Sequence, residues 1–402
     1  MRVERVCEEK RGFAGDNPTR SRTRYPCGAN AREKRRIAGG IREISPLGQG
    51  SNPTPRTFIS GSAWCHSSGL HPQVFELKHF PKPTIVVSKC ITLEPVRWNG
   101  QIVASEFIEK LKPYVSLVPV CPEVEIGLGV PRDPVRIVLV NGEHRLLQPS
   151  TGRDFTERMD DFADSFLNSL GEVDGFMLKS GSPSCGFKNV KIYPKMEKSA
   201  SVARGPGFFG RAVSERFPKL AIEDERRLLN PSIKEHFLTK LFALASFRTV
   251  KKSHSIRELV RYQSDNKYLL MAYNQKELRA LGRVVANQQG RPIDEIAQVY
   301  ETHLFSAFKR SPTVGSSMNV MMKIMGYFSH QLSGEEKAFL LSSLEKYKDG
   351  RLPLSTCISV LKAWIIRFQQ EYLSNQTFLE PYPEELTTLD TAAYGKQKDY
   401  WK

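Results

Sequence analysis

Three short apolar runs each lead into a cysteine, and this repeated arrangement limits the folds open to the chain more than any other feature. Residues 84–88 (Thr-Ile-Val-Val-Ser) precede Cys90, residues 115–120 (Val-Ser-Leu-Val-Pro-Val) precede Cys121, and residues 175–178 (Gly-Phe-Met-Leu) open into a small, hydroxyl-rich loop that holds Cys185. Runs of this length, rich in β-branched residues, read as buried strands. Set in parallel in one α/β sheet, they bring their C-terminal ends to a single edge, where such sheets place ligands. Three thiols separated by 31 and 64 residues then meet in one pocket.

The stretches between these runs fit that arrangement. A helix is expected over residues 105–112, with Phe107, Ile108 and Leu111 on one side. Another is expected from residue 156 to about Leu170, with Met159, Phe162, Ala163 and Phe166 at helical spacing. Residues 136–140 turn at Asn141-Gly142, a strong hairpin signal. The alternation predicts an α/β fold, a mainly parallel sheet with helices on both faces. From residue 255 to 373 the pattern is helical throughout, with five or six helices expected. Ile296, Val299, Tyr300, Leu304, Ala307 and Phe308 form one apolar stripe, and Leu361, Trp364, Ile365, Phe368 and Tyr372 form another. Ser333 and Glu336 make a capping box for a helix that Gly350 closes, and Cys357 reads as core.

Composition places limits on function. No apolar run approaches the roughly 18–20 residues that span a bilayer, and the first 30 residues lack the apolar segment of a secretory signal. A cytoplasmic protein is expected, with no membrane partner. Seven cysteines, an odd number spread over 402 residues, do not make a disulfide framework; a clustered subset points to metal binding or catalysis. The net charge of +16 sits mostly in residues 1–75, with 13 Lys/Arg against 6 Asp/Glu, and in residues 251–330, with 12 against 6. Such charge attracts polyanions, RNA among them, and equally describes a solvated basic surface. The expected domains are a disordered basic tail over 1–75 (a basic arm or a gene-start extension), an α/β domain over 76–230, a linker over 231–254, a helical domain over 255–385 and a flexible tail over 386–402. Cys7, Cys27 and Cys65 lie in the first of these and are given no role.

Six motifs in order carry a resemblance: Cys90, the turn at Val96-Arg-Trp-Asn-Gly100, Val118-Pro-Val-Cys-Pro-Glu123, the loop over 127–136, Gly152-x-Asp154-x-Thr156, and Leu178-Lys-x-x-Ser-Pro-Ser-Cys-Gly186. Together, across residues 80–225, they resemble the thiouracil desulfurase family. That resemblance implies a 4Fe-4S cluster held by Cys90, Cys121 and Cys185, with one iron left without a protein ligand and open to a soft thiocarbonyl sulfur. It also implies Glu123 as the base that activates a water and Ser182 as the donor to the intermediate that forms. Ser184, Lys179, Arg132 and Arg136 are candidate substrate-binding residues. Trp98 and Asn99 stand where Tyr and Asp are common in the family.

The helical half is similar to a second domain, formerly of unknown function, often fused behind desulfurase-like domains, through Asn266-Lys267, Leu281-Gly-Arg283, Met325-Gly-Tyr-Phe328 and Leu373-x-x-Gln376. Gln263, Asn266, Tyr273 and Trp364 replace histidines of that pattern, so no metal or catalytic role is expected there. The fusion implies an enzyme that converts 4-thiouridine in tRNA to uridine with release of sulfide, the helical domain holding the tRNA. Two other readings stay open: a desulfidase of free thiouracil or thionucleosides, and a non-catalytic RNA-binding or redox-sensing protein. The bland readings also stand. Three distant cysteines can be small buried hydrophobes or zinc ligands, Glu123 can simply pair with Arg132 or Arg136, and Ser182 and Ser184 can simply shape a turn.

Overall fold

The computed structural model describes residues 78–286 and 290–387. The expected N-terminal tail, and the C-terminal tail beyond residue 387, lie outside the described residues. In chain order the α/β region runs β1 (Thr84–Ser88), α1 (Glu106–Leu111), β2 (Ser116–Val120), α2 (Pro122–Glu125), β3 (Arg136–Val140), β4 (Glu143–Gln148), β5 (Arg153–Asp154), α3 (Thr156–Ser169), β6 (Gly175–Leu178), β7 (Val190–Tyr193), β8 (Ala203–Gly205), α4 (Phe208–Arg216) and β9 (Ala221–Asp224).

The three apolar runs become neighbouring parallel strands in a sheet ordered β2-β1-β6-β9. Their side chains alternate between two cores. Val86, Phe176 and Leu178 face α3 and α4, meeting Met159, Ala163, Phe209 and Val213. Ile85, Val87 and Met177 face the other way, onto Ile108 and Leu111 of α1. Burial on both faces is why β1 and β6 read as continuous apolar runs rather than alternating ones, whereas β2, at the sheet edge, is buried only at Val120.

A second sheet, ordered β5-β4-β3-β7-β8, departs from the single, mainly parallel sheet expected; only β3 and β7 are parallel in it. The β3–β4 hairpin forms where Asn141-Gly142 predicts it, with φ of 52° and 86° at the two turn residues, the left-handed pair that a two-residue hairpin turn needs. β7 and β8 have only four and three residues and carry little apolar patterning, so pairing with β3 rather than local preference defines them.

The segment expected as a linker is instead the longest helix among the described residues, α5 (Pro231–Lys252), N-capped by Asn230, whose side chain accepts from the amides of Ser232 and Ile233. Its buried stretch from Phe237 to Phe247 is apolar on all sides because it serves two cores. Phe237, Leu238, Leu241 and Phe242 pack under the parallel sheet, while Ala243, Leu244 and Phe247 enter the core of the helices that follow.

Those helices are α6 (Ile256–Asp265), α7 (Lys267–Tyr273), α8 (Gln275–Ala286), α9 (Ile293–Ala307), α10 (Val314–Gly326), α11 (Gly334–Lys348), α12 (Leu354–Arg367) and α13 (Glu371–Ser374). Eight are present among the described residues where five or six were expected, because α7 and α13, at seven and four residues, are too short to show a period of their own. Both apolar stripes point into this core, and Cys357 is fully buried in it. The positions that lack the expected histidines are structural: Gln263 accepts from the Tyr300 hydroxyl at 2.6 Å, Asn266 accepts from Thr377 at 2.8 Å, and Trp364 packs on Phe328. Beyond α13 the chain returns to the α/β region, where Tyr382 and Leu386 join the core beneath α1. No helix among the described residues is long and apolar enough to cross a membrane.

Candidate thiolate site

Each of the three strands delivers its cysteine to the same edge. Cys90 follows β1 by two residues, Cys121 ends β2 and begins α2, and Cys185 lies in the loop after β6. All three line one cavity of about 210 Å³, together with Glu123, Ser182, Arg132 and, at its exposed mouth, Trp98. The three cysteines are buried, with relative exposures of 8%, 7% and 6%. Burial, with the Cys121 sulfur nearby, pushes the Cys90 thiol up to about 12. Burial also raises Cys121, against the amides of Val124 and Glu123 that point at its sulfur, and raises Cys185 still further with help from the other two thiols. Three thiolates gathered here without a cation would repel one another in a medium that solvates them poorly.

The Cys185 loop is held from outside by the backbone of α4. The amides of Gly207, Phe208 and Gly210, at the start of α4, donate to the carbonyls of Gly186, Pro183 and Ser184 at 2.6, 3.1 and 3.0 Å. That approach is open only to glycine. A Cβ on Gly210 would lie 2.3 Å from the Gly186 carbonyl oxygen, and one on Gly207 would lie 2.5 Å from that of Pro183.

Glu123 is held on both oxygens. Its Oε2 accepts from Arg132 Nε and Nη2, both at 2.9 Å, and its Oε1 accepts from Ser184 Oγ at 2.9 Å and faces Ser182 Oγ at 3.4 Å. The pairing is thus with Arg132, not with Arg136. Arg136 stacks on Tyr193 outside the cavity and reaches the Met196 carbonyl. Ser182 does shape the turn: its Oγ accepts from the amides of Ser184 at 3.2 Å and Cys185 at 3.1 Å. With its acceptor sites taken, the hydroxyl retains one proton to donate, towards Glu123 or the cavity. Lys179 also lines the cavity, but its ammonium is engaged by Glu225 at 2.7 Å and by Ser180.

Two contributors were not legible in the sequence. Ser88, 1% exposed, accepts from the Lys179 amide at 3.0 Å and hydrogen-bonds the Cys185 sulfur, tying the ends of β1 and β6 together. Glu225, after β9, accepts from the amide and hydroxyl of Ser180 at 2.8 and 2.6 Å as well as from Lys179. Ser88 stands two residues before Cys90 but acts on Cys185, and Glu225 stands far from any cysteine; the sheet order brings both to the site. No three His, Cys, Asp or Glu side chains among the described residues are placed to hold a single metal ion.

A parallel-sheet edge presenting three buried thiols beside a carboxylate and a hydroxyl is the site of an α/β thiolate protein. Residues 85–225 match the family model described as 2-thiouracil desulfurase, and residues 267–383 match a second, described as a protein of unknown function (DUF1722). The uncharacterized protein YbbK of Bacillus subtilis (strain 168) is 36% identical over 110 residues, which cover 25% of this chain and 72% of that protein. The chain therefore belongs to the 2-thiouracil desulfurase family. The uncharacterized protein YbgA of Escherichia coli (strain K12) is 26% identical over 148 residues, 36% of this chain and 88% of that protein. A solved structure titled 4Fe-4S-dependent thiouracil desulfidase TudS is 29% identical, with a TM-score of 0.30, over 37% of this chain and 94% of that one.

Proposed function

We propose that this protein hydrolytically removes sulfur from a thiouracil-type base, using a 4Fe-4S cluster held by Cys90, Cys121 and Cys185. The observation that carries this reading is the convergence of these three thiols with Glu123 and Ser182 on one cavity. The donor set suits such a cluster. The donors are three soft sulfurs on the wall of one cavity, the ligand type that iron–sulfur clusters take. Bound through three thiolates, the cluster supplies a soft Lewis-acidic iron for the thiocarbonyl sulfur.

The chain's own residues do the rest. Arg132 and Ser184 fix the Glu123 carboxylate so that it orients a water towards the ring carbon bearing sulfur and takes its proton. Ser182 donates its remaining hydrogen bond to the tetrahedral intermediate formed on that carbon, whose negative charge develops on the departing sulfur. The carbon–sulfur bond breaks, a carbon–oxygen bond forms, and thiocarbonyl plus water becomes carbonyl plus hydrogen sulfide, with no net oxidation. Trp98, 46% exposed at the mouth, offers a face on which a pyrimidine stacks.

A second reading, 4-thiouridine within tRNA, is favoured by the net charge of +16 and by the basic stretch over residues 251–330, with 12 Lys/Arg against 6 Asp/Glu. Anaerobically reconstituted protein should release one sulfide per base from 4-thiouracil or from thiolated tRNA, and Cys185→Ser should abolish release from either. An intact cluster with no loss of sulfur from both substrates would sink the desulfidase reading. Turnover of only one of them decides between the two.

A further inference from the structure

Arg132 reaches further than its pairing with Glu123. Nε and Nη2 of its guanidinium donate to Glu123 Oε2, both at 2.9 Å, while Nη1 donates to the carbonyls of Val96 at 3.1 Å and Gly129 at 2.9 Å. Its own amide donates to the Trp98 carbonyl at 2.7 Å. One residue therefore holds the carboxylate and, at two points, the turn that presents Trp98 at the mouth of the cavity. Residues 94–102 form neither helix nor strand, so this turn has no ladder of its own to fix it. The Arg132 side chain is 5% exposed and that of Glu123 12%, so water competes little for the bonds between them.

A planar fork of five N–H donors can serve a carboxylate and two carbonyls at once, which the single nitrogen of a lysine cannot. We propose that Arg132 is a positioning residue that couples capture of the substrate ring at Trp98 to the aim of Glu123. A ring stacked on Trp98 settles the turn over residues 94–102. The turn holds Arg132 through the Val96 and Trp98 carbonyls, and the guanidinium holds Oε2, leaving Oε1 to the hydroxyls of Ser184 and Ser182. When the mouth is empty the turn shifts, the guanidinium follows, and the carboxylate loses its aim. Water is then activated only beneath a bound ring. The chemistry in this proposal rests on the desulfidase reading; the mechanical link between Glu123 and the turn does not.

The link is read by amide hydrogen exchange of the turn in the full, anaerobically reconstituted chain, with β1 and β6 as internal controls for an intact fold. Arg132→Lys and Glu123→Ala should each speed exchange over residues 95–101 by about tenfold, and the double variant should be no faster than either single one. An unchanged turn in Glu123→Ala, or effects that simply add, would overturn the proposal. Steady-state kinetics on whichever of 4-thiouracil and thiolated tRNA the wild-type protein turns over supply the second arm. Trp98→Ala should raise KM and also lower kcat by about tenfold, although its side chain has no part in the chemistry. In the Arg132→Lys background the same change should raise KM alone. A Trp98→Ala variant whose only defect is in KM would overturn the coupling, and this arm holds even where Arg132→Lys fails to fold. Absence of sulfur release by the wild-type protein counts against the desulfidase reading and leaves the exchange cycle to decide the coupling by itself.

Discussion

At the scale of single residues, the site depends on how side chains spend their hydrogen bonds. Glu123 is committed through both oxygens, yet only Oε1 faces hydroxyls that can yield to a substrate water. Glu123→Gln keeps the shape and removes the base. We expect kcat to fall by about 10²–10⁴-fold while the visible absorbance of the loaded cluster is unchanged; equal loss of both would make Glu123 a structural residue. A second residue-scale prediction lies on α5, where His236 stacks on Tyr273 with Nδ1 3.1 Å from its hydroxyl. Burial, aided by repulsion from Lys240, lowers the imidazole from 6.5 to about 4. Between those values the unfolded chain binds more protons than the folded one, so stability falls as pH drops from 6.5 towards 4. Urea titrations should lose about 2 kcal/mol from this group between pH 7 and 5, and His236→Phe should flatten that slope. The roles of Cys90, Cys121 and Cys185 as wall residues were legible because each follows a strand, whereas Ser88 and Glu225 carry no local mark of theirs.

At the scale of elements, the loop holding Cys185 takes its shape from the first turn of α4. Gly210→Ala sets a methyl group against the carbonyls of Gly186 and Cys185, at 2.3 and 2.7 Å before relaxation. Backbone must move to accommodate it. We expect about 1–3 kcal/mol of destabilisation, and iron content on reconstitution should fall with it; normal iron loading at wild-type stability would show that the clamp does not position the cysteine. By contrast α11 could be read from its ends alone, because both halves of its capping box, Ser333 and Glu336, lie within one turn. Ser333→Ala should cost about 1 kcal/mol in thermal or urea unfolding. The second sheet resisted such reading, since β7 and β8 exist through their partners.

At the scale of the whole molecule, α5 makes one body of two regions that the sequence separates. Arg248 on this helix donates to both oxygens of Asp174 at 3.0 and 2.8 Å, and that carboxylate, 3% exposed, also accepts from the Thr84 amide at the start of β1. Arg248→Ala strands a buried charge and should destabilise the protein by about 3 kcal/mol, an effect that Asp174→Asn in the same chain should partly relieve. Removing residues 251–402 therefore does not leave the α/β region intact. It uncovers Leu244 and Phe247 and withdraws Tyr382 and Leu386 from the core beneath α1.

The sequence by itself determined what is local or strictly periodic. The three strand-to-cysteine junctions, the amphipathic helices, the Asn141-Gly142 hairpin and the caps of α11 all rest on neighbours within a few positions, where propensity and spacing act directly. Tertiary structure alone decided that residues 231–252 form a shared helix and that a second sheet flanks the first. It also decided that Arg132 and Lys179 are consumed by Glu123 and Glu225. Charge on a side chain is written in the sequence, but the partner that neutralises it is chosen by packing across tens of residues.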